Sequence, residues 1–172
     1  EYNLKKVLII TYYWPPSGGA GVQRSLKFVK YLPAFGIEPI VITVDANQAT
    51  YPIIDETLEK EIDPSIRVIR TRSFEPLKIL SALKGKDNIP HGGFANTNKE
   101  SITQKTLRFV RGNFFIPDAR RGWVRFAVKA ASELIEKEKI DTVFVSSPPH
   151  SSQLIGMELK EKYKVRWIAD MR

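Results

Sequence analysis

Lys5-Lys6-Val7-Leu8-Ile9-Ile10-Thr11 opens a unit that Ile40-Val41-Ile42-Thr43-Val44 closes. Both are short, continuous apolar runs rich in β-branched residues, the pattern of strands buried on two faces. Between them Val22, Leu26, Val29 and Leu32 recur at helical spacing, interleaved with Arg24, Lys27 and Lys30. Pro33 and Gly36 mark where that helix stops. A strand, a helix and a strand within roughly forty residues form a βαβ unit, whose crossover is right-handed in nearly every protein.

The same alternation continues outward. Residues 66–69 read as a third strand, 77–83 as a short helix and 84–103 as a polar, mobile loop that includes His91. Residues 121–138 carry Trp123, Phe126, Val128, Ala131, Leu134 and Ile135 along one side of a helix. Residues 142–145 form a fourth strand, 148–163 a further helix and 165–169 a fifth strand. Alternating strands and helices predict an α/β, Rossmann-like three-layer domain around a parallel sheet, with strand order 3-2-1-4-5. The chain length suits one domain with a substantial core.

Composition removes several classes of protein. Apolar residues at 42% and charged residues at 27% exclude a disordered or collagen-like chain. The absence of cysteine excludes disulfides and thiolate metal sites. The apolar runs are too short to span a bilayer, and no signal-peptide pattern opens the sequence, so a cytoplasmic location is expected. The missing initiator Met, and an end at Asp170-Met171-Arg172 where a strand runs into a polar turn, lead us to expect a piece of a longer protein. The net charge of +8 is concentrated: residues 99–129 hold eight basic and two acidic residues, or +6. Such a face attracts anions, whether nucleic acid, acidic lipid or phosphorylated small molecules, although a solvated helix face has the same composition.

In a doubly wound sheet the ligand crevice opens at the carboxyl ends of the strands where their order reverses, here between the first and fourth strands. Two loops meet there. Tyr12-Tyr13-Trp14-Pro15-Pro16-Ser17-Gly18-Gly19-Ala20-Gly21 leads into the first helix. Gly19 and Gly21 allow a close backbone approach, and a helix N-terminus favours a phosphate or a charged sugar. The second loop is Ser146-Ser147-Pro148-Pro149-His150-Ser151-Ser152, in which Ser147 is expected to cap a helix and His150 to lie in its first turn.

Two rival functions share parts of this pattern. Gly19-Ala20-Gly21 together with Asp45 mimics the dinucleotide fingerprint, but Arg24 stands at the third glycine position and the glycines lie far beyond the strand. A basic nucleic-acid-binding module rests on charge alone, with no accompanying recognition motif. Neither a Gly-x-Ser-x-Gly elbow nor a Walker phosphate loop occurs.

The stretch Lys6-Val7-Leu8-Ile9-Ile10-Thr11-Tyr12-Tyr13-Trp14-Pro15-Pro16-Ser17-Gly18-Gly19-Ala20-Gly21-Val22-Gln23-Arg24 resembles the opening of family 4 glycosyltransferases with the GT-B fold. Phe115-Ile116-Pro117-Asp118-Ala119-Arg120-Arg121-Gly122-Trp123, Ser146-Ser147-Pro148-Pro149-His150 and the closing Asp170-Met171-Arg172 are similar to further segments of that family. The resemblance implies that residues 1–172 are the N-terminal, acceptor-side domain of a larger enzyme. A C-terminal domain would then bind the UDP- or GDP-sugar, and transfer to a sugar or lipid-linked glycan acceptor would proceed with retention and without a metal. It implies a catalytic place for His150 near the transferred sugar, and substrate contacts for Gly19, Gly21, Arg24, Trp14, Asp170 and Arg172. Arg108, Arg111, Arg120, Arg121 and Arg125 are expected to face the acceptor or an anionic membrane at its inner surface. No nucleic acid is expected as a partner, and the domain alone is expected to be inactive.

Overall fold

A computed structural model of the chain describes residues 5–75 and 117–171. The predicted helix at 77–83, the loop at 84–103 with His91, and Arg108, Arg111 and Arg172 lie outside the described residues. The elements are β1 (Lys5–Thr11), α1 (Ala20–Tyr31), β2 (Ile37–Val44), β3 (Arg67–Thr71), α2 (Val124–Glu138), β4 (Thr142–Ser146), α3 (Ser152–Tyr163) and β5 (Arg166–Asp170). All pairings are parallel and the strand order is β3-β2-β1-β4-β5, as the sequence predicts.

The register explains the two cores. Ile10 lies between Ile42 and Val145, and Ile9 between Val41 and Phe144. Successive side chains of a strand point to opposite faces. Leu8, Ile10, Ile40, Ile42, Val143 and Val145 therefore meet Ala127, Ala131 and Ile135 of α2 and Ile155 and Leu159 of α3. Val7, Ile9 and Val41 meet Val22, Leu26 and Val29 of α1 on the other face. Each large side chain so buried is worth about 1.5–3 kcal/mol of transfer free energy, which is why continuous apolar runs settle in a two-faced parallel sheet.

Element ends differ from the periodicity in instructive places. α1 begins at Ala20, two residues before the first apolar repeat at Val22, so Gly19 is its N-cap and Gly21 lies inside its first turn rather than before it. Ala20 and Gly21 bury no large side chain, and hydrophobic spacing cannot register them. At the other end a 3₁₀ turn, Leu32–Phe35, follows α1 and closes on Gly36 at φ 73°. Gly36 tolerates this left-handed turn, and its carbonyl accepts the Lys5 N–H at 3.2 Å, setting β2 beside β1 from Ile37 onward. Glu38 and Pro39 interrupt the apolar run there, so the strand starts earlier than its hydrophobic core. A 3₁₀ turn, Arg121–Trp123, leads into α2.

On the α1 side, β4 and β5 are only partly covered. Phe28 and Ile168 are 43% and 44% exposed and flank an apolar groove of about 300 Å³ with Leu32 and Phe144. A neighbouring hollow of about 480 Å³ runs along the outer side of α1 from Arg24 to Phe35. Gly19, Ser147 and His150 line neither. Among the described residues no helix is long and apolar enough to cross a membrane.

Candidate functional site

The site is built at the carboxyl ends of β1, β4 and β5, where Thr11 pairs with Ser146 and Ser146 with Asp170. The loop leaving β1 is anchored before it reaches α1. Trp14 is fully buried against the α1 core cluster. The Ser17 N–H donates to the Trp14 carbonyl at 2.9 Å, the Gly18 N–H to the Ile53 carbonyl at 2.9 Å, and the Asp55 N–H to the Pro16 carbonyl at 2.8 Å. A Cβ on Gly18 would come within 2.9 Å of the Ile53 side chain, so residues 53–55 pack directly onto this loop.

Gly19 adopts φ 103°, a conformation that L side chains rarely take, and the Val22 N–H donates to its carbonyl at 3.1 Å. The space a Cβ would enter there is open to 4 Å. The N-cap brings no side chain to the helix start, and no acidic residue occupies the first turn. A backbone approach from outside therefore meets the positive end of α1.

Asp170 ties the site together. Its Oδ1 accepts from Arg24 Nη2 at 2.8 Å and its Oδ2 from Ser146 Oγ at 3.0 Å. Its carbonyl accepts from the Ser147 N–H and from Ser147 Oγ, both at 2.9 Å, and from Gln153 Nε2 at 3.4 Å. Ser147 is thus committed to β5 and does not cap α3. The helix predicted from residue 148 begins only at Ser152. A residue before proline is kept out of the helical region, so Pro148 cannot lead a helix through Pro149. Both Ser147–Pro148 and Pro148–Pro149 are cis. With α3 starting at Ser152, His150 lies in the turn ahead of it, exposed, with its carbonyl accepting the Gln153 N–H at 3.1 Å.

Asp118 is the residue that sequence reading did not single out. Its Oδ2 accepts the Ser151 N–H at 2.7 Å, and its Oδ1 accepts Ser151 Oγ and the Arg120 N–H, each at 2.8 Å. One half of this is a local Asx turn, Asp118-Ala119-Arg120, which the sequence does signal. The other half joins two segments far apart in the chain and fixes the residue that follows His150.

Beside it lies an aromatic group of Tyr12, Tyr13, Tyr51 and Trp123, with Tyr12 edge-on to the other three. Tyr12 donates to the buried Glu75 carboxylate, which also accepts from Thr50 Oγ1 at 2.5 Å and Ser73 Oγ at 3.3 Å. Burial holds the Tyr12 phenol well above its usual range, with the Glu75 charge adding to the effect. Burial likewise raises Tyr13 and pushes Tyr51 up to about 12.

The predicted residues thus divide. Gly19, Gly21, Arg24, Asp170 and His150 come to one end of the sheet. Trp14 is interior and supports the loop from beneath. Arg121 and Arg125 are exposed at the start of α2, and Arg125 lies over the Phe126 ring at 4.6 Å. Arg120 is instead half-buried, with its backbone N–H donating to Asp118 Oδ1 at 2.8 Å and Nη2 to the Thr50 carbonyl at 3.3 Å. Asp45, the acid that mimicked a ribose ligand, accepts the Asn47 N–H at 2.9 Å in a local turn. Among the described residues no cluster of three or more His, Asp or Glu could hold a metal ion. No family model matches this chain, and no curated protein matches it.

Proposed function

We propose that this chain is the acceptor-side domain of a retaining, nucleotide-sugar-dependent glycosyltransferase. The observation that carries the reading is the convergence, at the carboxyl ends of β1, β4 and β5, of the Gly19 loop, the Arg24–Asp170 pair and the His150 turn. These are the segments in which the sequence resembles family 4 enzymes. On this reading the backbone at Gly19 and Gly21 approaches an anionic or sugar group at the positive end of α1. His150 reaches the transferred sugar from the opposite wall. Asp170 keeps the two walls in register, and Arg24, about half exposed, keeps part of its charge towards the crevice. A second domain following Arg172 supplies the nucleotide-sugar, and closure of the two assembles the reacting groups. Arg121 and Arg125 face a sugar or lipid-linked glycan acceptor, or the anionic inner surface of a membrane, from the cytoplasmic side.

Calorimetric titration of the 172-residue chain with NAD and with UDP- and GDP-sugars tests this. Weak or no binding of all of them is expected, because one wall of the donor site is absent. Micromolar NAD binding would overturn the reading in favour of a dinucleotide domain. In a polypeptide extended by the second domain, sugar transfer is expected, and His150→Ala is expected to abolish most turnover. The thermal midpoint should not move, since the side chain is exposed.

A further inference from the structure

We infer that Arg120 is the recognition point for an oxyanion, a carboxylate or a phosphate, carried by the acceptor; this rests on the glycosyl-transfer reading for the word acceptor, but not for the anion. Arg120 is half-buried, yet of its five side-chain N–H donors only Nη2 makes a hydrogen bond among the described residues, the 3.3 Å contact with the Thr50 carbonyl. Its Nε is shut off from solvent and has no partner among the described residues. No carboxylate of the described residues lies within 4 Å of it, in contrast to Arg24, Arg67 and Arg70.

Three acids act on the neighbouring phenols, and Asp45, which acts on Tyr51, accepts the Asn47 N–H in its own turn. The other two are already committed. Asp118 spends both oxygens on Ser151 and on the Arg120 N–H, and Glu75 spends its own on the hydroxyls of Tyr12, Thr50 and Ser73. A partly desolvated guanidinium without a counter-charge is unfavourable, and its planar fork matches carboxylate and phosphate geometry. The half-buried Tyr13 phenol is raised chiefly by burial and pulled back by the nearby Arg120 charge. Tyr13 and Tyr51, with ring centroids 6.2 Å apart, add apolar ring surface of the kind a sugar can pack on. The place is also right: Arg120 stands two residues after the aspartate that fixes Ser151, the neighbour of His150.

Titration of the 172-residue chain with glucuronate, glucose 1-phosphate and glucose, followed by NMR, tests the assignment. The two anionic sugars are expected to bind at least tenfold more tightly than glucose and to shift the Tyr13 and Arg120 resonances. Arg120→Gln should erase that preference, and Arg120→Lys should keep part of it. Equal binding of glucose and glucuronate, or an Arg120→Gln protein with the preference intact, overturns the proposal. Should Arg120→Gln fail to fold, Arg120→Lys and Tyr13→Phe carry the test, each expected to weaken the anionic sugars but not glucose; unchanged affinities in both overturn it. Anion binding without sugar transfer in the extended polypeptide would defeat the transfer reading and leave this one standing. Transfer that is indifferent to Arg120→Gln and to acceptor charge would do the reverse.

Discussion

Arg24 of α1 and Asp170 at the end of β5 form an ion pair, Nη2 to Oδ1 at 2.8 Å, across the crevice between the two loops of the site. The partners are unequal. Arg24 is 47% exposed, whereas the Asp170 side chain is 10% exposed and also accepts from Ser146 Oγ. A half-exposed pair is worth less than about 1 kcal/mol, while stranding a buried hydrogen-bonded group costs about 1–3 kcal/mol. Arg24→Ala should therefore cost less than Asp170→Ala in urea denaturation. Equal losses would mean that the ion pair, and not the Ser146 contact, dominates.

Glu138 ends α2 between two cations, Lys6 at 2.8 Å and Arg67, and the Lys6 hydrogen bond is the main cause holding its carboxyl below the usual range, with Arg67 contributing. A carboxyl with a depressed folded-state pKa contributes stability that is present above its unfolded value, near 4.3, and lost as pH falls through the folded value. The thermal midpoint should thus fall below about pH 4. Glu138→Gln should lower the midpoint at pH 7 and flatten that acid limb; an unchanged limb would assign it to other carboxylates.

The tyrosines act at the other end of the pH range. Burial pushes Tyr51 up to about 12 and raises Tyr12 and Tyr13. A phenol whose folded pKa lies above its unfolded value, near 10, contributes stability that is complete below that value and lost as pH climbs towards the folded one. Phenolate absorbance should therefore rise together with the loss of circular dichroism in the window from about pH 10 to 12. Tyr51→Phe should shift that transition upward. Titration of these phenols in a still-folded protein would contradict the burial argument.

The sheet was legible in the sequence because its signal is local: a run such as Val7-Leu8-Ile9-Ile10 has few other ways to bury both faces. The site was legible only as a place. Gly19 and His150 belong to loops that any 3-2-1-4-5 sheet brings together. The particular bonds were not, since Arg24 and Asp170 are 146 residues apart and Asp118 and Ser151 are 33 apart. Trp14 shows the limit of motif reading: the pattern marks it as important, but packing, not ligand contact, is what its full burial displays. The α3 start was misplaced because a serine before proline looks like a cap until the second proline is weighed.

Two glycines should separate backbone from side-chain obstruction. A Cβ on Gly122 would fall 1.8 Å from the Phe74 carbonyl oxygen, which cannot move without its chain. On Gly156 it would fall 2.2 Å from Trp167 Nε1, a half-buried ring that hydrogen-bonds Gln153 Oε1 at 3.3 Å. Overpacking of the second kind costs about 1–3 kcal/mol. Gly156→Ala should lie in that range by chemical denaturation and Gly122→Ala should exceed it. The opposite order would show that the approach of residue 74 to the turn before α2 is loose.

Asp118 provides the sharpest separation of positioning from packing. Three donors converge on its carboxylate, two of them from Ser151, the residue after His150. Bonds to an ionised acceptor are shorter and stronger than neutral ones, and two of the donors are backbone N–H groups held in turns. Asp118→Ala removes all three and leaves the Ser151 N–H to find water, at a cost of about 1–3 kcal/mol. Ser151→Ala removes only the hydroxyl and should cost less. Asp118→Asn keeps the size and one acceptor oxygen but loses the charge and presents an amide donor to donors, so its loss should fall between the two. If Asp118 acts by fixing the turn, hydrogen exchange at Ser151 and Ser152 should accelerate in Asp118→Ala far more than exchange in β1 or β2. A uniform acceleration across the sheet would show that the carboxylate supports the whole fold rather than the turn that carries His150.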